Sequence, residues 1–282
     1  MLICVFLDEF SGQKFEMEHG SSLSRFCFLE LVVAKVFGVI ITSKFKANGF
    51  QDASEVMMEI VSFDRMEGDA ATMPKQLRCV DVEILRRLLD SAGAVIAPVA
   101  AFQIGYLDEK ENDSVVINGV RFHSRVLRRN LDAVGRVFPF VLTVGKPFDE
   151  LVKTNNDMLE KYLLDEIGNI ALRKARLQFE NHLRRCFALE KISSMAPGSL
   201  EDWPIEEQKS LFSLMSGVES AIGVHLTESL LMIPQKSISG IYFPSEATFL
   251  SCQLCPRKRC DARKAHYDES KAHEYGILKK RK

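Results

Sequence analysis

The chain has 282 residues, 46% of them hydrophobic, with 37 basic side chains against 38 acidic ones. This balance excludes a global field that would draw nucleic acid or an anionic membrane surface, and the apolar content suits one large globular domain or two modest ones. Seven cysteines are an odd number, and three of them fall within nine residues, which is ligand-like spacing and not a secreted disulfide framework.

Residues 1–75 carry breaks at Gly20 and Gly49 around an apolar run, Phe26 to Ile41. Glu30 and Lys35 interrupt the run, and it is shorter than the roughly 20 residues a spanning helix needs, so a buried helix or strand pair is expected. Asp8 and Glu9 stand where a secretory signal carries basic residues, which points to the cytoplasm. The segment holds no motif; it reads as an N-terminal unit of unknown role, either a small α+β appendage or an extra layer on the main domain. From Asp81 the pattern sharpens: Val82, Ile84, Leu85, Leu88 and Leu89 recur at helical spacing behind a capping aspartate. Asn118-Gly119, inside the loosely alternating stretch Val115 to Phe122, predicts a hairpin or a strand entering a helix. Phe138 to Val144, closed by Gly145, predicts a buried strand. Residues 148–189 predict the longest helix, with Leu159, Leu163, Ile167, Ile170, Ala171 and Ala175 as its apolar stripe and Gly168 marking close packing.

Pro197-Gly198 breaks the chain, and Pro204 suits the first turn of a helix carrying Ile205, Leu211, Phe212 and Met215. Ile222 to Leu226, Leu230 to Ile233 and Ile238 to Phe243 predict strands. Residues 251–282 are basic, cysteine-bearing and poor in aliphatics, and read as a tail that is clipped or partly disordered. Within it, Cys252, Cys255 and Cys260 place three thiols within reach of one zinc ion or iron–sulfur cluster. The nearest fourth ligand is His266, with Cys79 or Cys186 as alternatives, and Arg257, Lys258, Arg259 and Arg263 would favour thiolate. His123, His182 and His225 read as surface or packing residues. Asp165-Glu166 reads as a solvated face and Trp203 as an anchor between helix and sheet, with stacking on an adenine ring as its functional alternative.

Several strings resemble the activation domain of cobalamin-dependent methionine synthase and its stand-alone relatives. They are Asp202-Trp203-Pro204-Ile205-Glu206-Glu207-Gln208, Ile222-Gly223-Val224, Leu226-Thr227-Glu228-Ser229, Met232, Pro234 and Lys236-Ser237-Ile238-Ser239-Gly240. Upstream, Val141-Leu142-Thr143-Val144-Gly145 and Leu164-Asp165-Glu166-Ile167-Gly168 are similar to strand and long-helix motifs of the stand-alone members, so the resemblance covers about residues 80–262. It implies an α+β fold with helices packed around a twisted antiparallel sheet, spanning residues 76–250. It also implies S-adenosylmethionine binding at the loop containing Met195, Ala196, Pro197 and Gly198, and a corrinoid-bearing protein or methionine synthase as partner. Cobalamin would then be met only through that partner, and no catalytic residue is assigned. The family's loop reads Arg-x-x-Pro-Gly-Tyr; here Ser194 and Ser199 stand at the arginine and tyrosine positions, which removes a guanidinium able to fork onto a carboxylate. The alternative reading is therefore a metal-stabilised protein-interaction module that keeps the fold and has lost the ligand.

Overall fold

The computed structural model describes residues 39–46, 57–63, 81–260 and 263–277. In chain order the elements are β1 (Val39–Lys46), β2 (Met57–Phe63), α1 (Val82–Val95), β3 (Val99–Phe102), β4 (Gly105–Lys110), β5 (Ser114–Ile117) and β6 (Val120–His123). Then come α2 (Arg125–Asn130), β7 (Arg136–Thr143), α3 (Lys146–Thr154), α4 (Met158–Cys186), β8 (Ile192–Met195), α5 (Gln208–Leu214) and α6 (Val218–Ile222). β9 (His225–Leu226), β10 (Met232–Ile233), β11 (Ser237–Pro244) and α7 (Glu269–Glu274) complete the series. This is the expected α+β class, with helices around an antiparallel sheet.

β7 is the axis of the sheet. β3 and then β4 pair along one of its edges and β11 along the other, with β8 on the far side of β11 and every pairing antiparallel. Pro139 lies inside this central strand, where a proline ordinarily removes a ladder bond. Its carbonyl accepts from the Gln103 amide where the edge passes from β3 to β4, so its missing N–H faces a break in the ladder. Side chains alternate as a two-residue period requires. Phe138, Phe140 and Leu142 pack under Ala175, Phe179 and Leu183 of α4, whereas Val141 packs with Met215 and Val218 on the opposite face.

Asp81 caps α1 by accepting from the Glu83 amide. Asn118 and Gly119, both at positive φ, form the hairpin turn between β5 and β6. Gly168 does mark a close approach, since a Cβ there would stand 2.6 Å from the Phe148 ring. The single helix expected over 148–189 is instead two, because Asp157 caps a new start by accepting from the Leu159 and Glu160 amides. Leu159 is accordingly exposed, and the buried stripe of α4 continues through Phe179, His182 and Leu183. The strand expected from Ile222 begins only at His225, because Gly217 and Gly223, both left-handed, frame the short helix α6.

The apolar run Phe26 to Ile41 lies almost wholly outside the described residues. β1 and β2 fall in the 1–75 segment, for which the sequence leaves an appendage and an extra layer on the main domain both open, and they extend the main sheet through the pairing of β2 with β3. Among the described residues, no helix is long and apolar enough to cross a membrane.

The segment expected to be a loose tail is docked. Leu254 and Ala272 are buried in one cluster with Trp203, Leu211 and Phe249, and Tyr275 and Ile277 pack against it. Arg129 reinforces the contact through Glu274 and the Tyr275 ring. Arg263 donates to the carbonyls of Cys252, Cys255, Arg257 and Ala265, gathering the turn through its backbone acceptors. Few aliphatics suffice because the body already provides the apolar surface. Arg263→Ala is expected to expose 251–277 to limited proteolysis at least several-fold faster while leaving the body intact; unchanged cleavage would show that the apolar contacts alone hold the segment.

Candidate functional site

Ser194 of β8 and Tyr242 of β11 are direct cross-strand partners, so both side chains stand on one face of the sheet. α4 crosses that face, and Arg176 reaches down from it. Its Nε donates to Tyr242 Oη at 3.1 Å and its Nη2 to Ser194 Oγ at 2.8 Å. These two bonds leave three of the five guanidinium donors without a protein acceptor among the described residues. Below Arg176 opens a cleft of about 420 Å³, walled by Phe140, Met195, Ile205, Met232, Ile238 and Phe249 and reached by Gln208, Ser239, Cys252 and Lys264.

The loop after β8 forms one side of this cleft. Met195, Ala196, Pro197 and Ser199 line it, whereas Gly198 is exposed at the turn itself, at φ +78, facing Ile205. The turn is closed by the Gly198 amide on the Trp203 carbonyl at 2.8 Å and by Ser199 Oγ on the Ala196 carbonyl at 2.6 Å. On the opposite wall Gly240 permits the approach of β8, because a Cβ there would meet the Met195 carbonyl oxygen at 2.5 Å. Gln208, buried at the start of α5, donates to Ser239 Oγ at 3.3 Å.

The matched strings thus divide their labour. Asp202, almost fully buried, accepts from Ser124 Oγ, Arg125 Nε and the Val126 amide at the start of α2, which ties the loop to the body. Trp203 is fully buried against Phe122 and does not line the cleft, so it is an anchor and not a platform for a ring in that space. Lys236 pairs with Asp165 at 2.7 Å and donates to Asn169, so Asp165 is held by a lysine and is not simply solvated.

Two cations face the cleft, and no carboxylate among the described residues lines it. Partial burial, and after it the Arg176 charge, pull the Lys264 ammonium below its ordinary range, with Glu180 and Cys252 acting in the opposite direction. Burial pushes the Tyr242 phenol up, opposed by Arg176. Neither Lys264 nor Arg176 has an ion pair among the described residues. Sequence reading assigned the loop but missed Arg176, which stands 18 residues before Ser194 on a helix, and Lys264, which looked like one charge in a basic tail. The only signal available was the helical position of Arg176 next to the buried Ala175.

The thiol cluster comes out differently. Among the described residues no group of three or more His, Cys, Asp or Glu side chains is gathered as a metal would require. Cys252 Sγ accepts from the Lys264 amide at 3.4 Å beside the cleft, Cys260 is exposed, and His266 is exposed on the following turn. Arg263, expected to favour thiolate, is engaged by carbonyls. Among the described residues these side chains are not gathered into a ligand set for zinc or an iron–sulfur cluster, and the turn carrying Cys252 and Cys255 is closed by Arg263. Cys79 lies outside the described residues, and Cys186 sits 3.6 Å from His182 Nε2. That pair is no activated dyad: burial drives the thiol up and the imidazole down, so both are held uncharged. His123 and His225 do have acidic neighbours, Glu207 and Glu219, brought near only by folding.

A second depression, of about 390 Å³, runs along α1 between Glu83 and Ser91 and gathers no convergent groups from another element.

Residues 195–262 match the model of the vitamin B12 dependent methionine synthase activation domain family. Among solved structures, the chain is similar to the crystal structure of the MetH reactivation domain bound to AdoHcy, at 16% identity and a TM-score of 0.47, over 66% of this chain and 73% of that one. No curated protein matches the chain. From the end of β8 through β11 to the cysteine-bearing turn, the chain carries the pattern of the vitamin B12 dependent methionine synthase activation domain, and this is the family it resembles.

Proposed function

We propose that this chain is an accessory of corrinoid chemistry, similar to the S-adenosylmethionine-dependent reactivation module of cobalamin-dependent methionine synthase, and that it acts on a corrinoid carried by a separate protein. The observation that carries the reading is that the family-matched segment supplies most of the residues lining the cleft, and that a guanidinium stands beside the serine where the family has its loop arginine. S-adenosylmethionine, when bound, would supply a methyl group. This chain's residues would bind and orient it: Arg176 and Lys264 toward its carboxylate, Gln208 and Ser239 toward its polar edges, and Phe140, Met195 and Phe249 to exclude water. The arrangement offers positioning and no general acid or base, which suits a module that supplies geometry. The alternative of a metal-stabilised interaction module gains no support from the thiols.

A reactivating accessory must distinguish an inactive partner from a working one, because without differential affinity it shifts no population and obstructs the active state. Pull-down from cells that make corrinoids should recover a protein with a corrinoid spectrum, bound about tenfold or more tightly with its cobalt oxidised than methylated. Equal affinity for the two states would remove the reactivation role.

A further inference from the structure

The loop serines at 194 and 199 suggest a cleft stripped of its anchor, yet folding returns a cation to the same place from another element. Arg176 is held by two neutral hydroxyls, Tyr242 Oη and Ser194 Oγ, which orient a guanidinium without neutralising it. No carboxylate among the described residues lies within ion-pair distance of it; Glu180, one turn further along α4, is taken by Arg184 at 3.0 Å. Lys264 lines the same space, and partial burial first, then the nearby Arg176 charge, lowers its basicity. An arginine fork fixed on its Nε edge and presenting its remaining donors to a half-enclosed space is prepared for a carboxylate, since its orientation is set before the ligand arrives.

We infer that this cleft takes a ligand bearing a carboxylate and no cation beyond its amino group, with Arg176 as the anchor and Lys264 at the rim, so that it prefers the neutral thioether S-adenosylhomocysteine to the sulfonium S-adenosylmethionine. The inference rests on reading the cleft as an adenosyl-ligand site. The two compounds differ by one methyl group and one positive charge, and a cleft lined, among the described residues, by two cations and no acid opposes that charge. At an effective dielectric between that of water and that of the protein surface, the opposition amounts to about tenfold in affinity at low salt, and it shrinks as salt rises. Ser194 in this arrangement is a positioning residue that holds Arg176 by accepting its Nη2–H.

Calorimetric titration of the unmodified protein with each nucleoside, in the absence of any corrinoid, tests this. S-adenosylhomocysteine should bind about tenfold more tightly than S-adenosylmethionine at low salt, and Lys264→Gln should narrow that gap. Arg176→Met should weaken S-adenosylhomocysteine about tenfold to hundredfold, the scale of a charge-assisted hydrogen bond. Arg176→Met combined with Ser194→Arg moves the guanidinium from helix to loop and should restore affinity to within a few-fold, a rescue that a merely structural role for Arg176 would not give. Should Arg176→Met fold poorly, Arg176→Lys keeps the charge but not the fork and should bind with intermediate affinity. Unchanged affinity in the Arg176 variants, equal or tighter binding of the sulfonium, or no binding of either nucleoside up to millimolar concentration overturns the inference. Those results leave the partner experiment untouched, and failure to recover a corrinoid protein leaves this anchor untouched.

Discussion

Replacing Trp203 by alanine will lower the unfolding free energy by about 3–5 kcal/mol, the cost of emptying a large buried aromatic site. The residue is fully buried and lies edge-on to Phe122 at 6.3 Å, in the cluster that also holds Leu211, Ile241, Phe249 and Leu254. It therefore joins the β5–β6 hairpin, α5, β11 and the C-terminal segment in one contact. Its carbonyl also closes the loop by accepting from Gly198, so a collapse around the cavity reaches the cleft. The indole N–H has no hydrogen-bond partner among the described residues, which makes it a desolvated polar group. Trp203→Phe keeps most of the apolar contact and removes that group, so it should cost clearly less than the alanine change. Urea unfolding of the three proteins checks the order; an alanine cost below about 1 kcal/mol would mean that the site is not the junction described.

Stability will fall as the pH is lowered from about 6.5 toward 4, and His182 is the reason. Burial, with a smaller contribution from Arg185, holds its imidazole down to about 4 in the folded protein, against 6.5 for the free side chain. It is 5% exposed and packs edge-on to Phe102, 6.0 Å away. Between those two values the unfolded chain binds the proton and the folded one does not, so stability rises with pH across that window and is complete above it. The full difference is about 3 kcal/mol at 1.36 kcal/mol per unit, as an order of magnitude. His182→Phe should flatten the slope of unfolding free energy between pH 4 and 6.5 without abolishing acid unfolding by the carboxylates. An unaltered slope would show that His182 is reached by water and titrates normally.

The elements whose geometry is local were legible before folding. Asp81 opens a helix because its carboxylate can accept from an amide two residues on, and Asn118-Gly119 turns a hairpin because both residues accept positive φ at small cost. Gly168 announced a close approach for the same kind of reason. Errors arose where two local signals competed. The helical reading of residues 148–189 runs through Asn155 to Asp157, but Asp157 caps the start of a second helix there. The strand pattern at Ile222 gives way to a helical turn between two left-handed glycines.

The sequence by itself determined the family resemblance, the α+β class which that resemblance implies and the turn at Pro197-Gly198, because motif strings and backbone-restricted residues act within a few positions along the chain. Tertiary structure alone decided what charge the cleft carries and what the C-terminal cysteines do. Arg176 lies 18 residues from Ser194 and 66 from Tyr242, and only the crossing of α4 over the β8–β11 pair makes them neighbours. In the same way Arg263 closes the turn at Cys252 and Cys255 through carbonyl oxygens, acceptors that every residue has and no side-chain pattern reports. Spacing tells which groups are able to meet, whereas the direction of a side chain after packing decides which of them do.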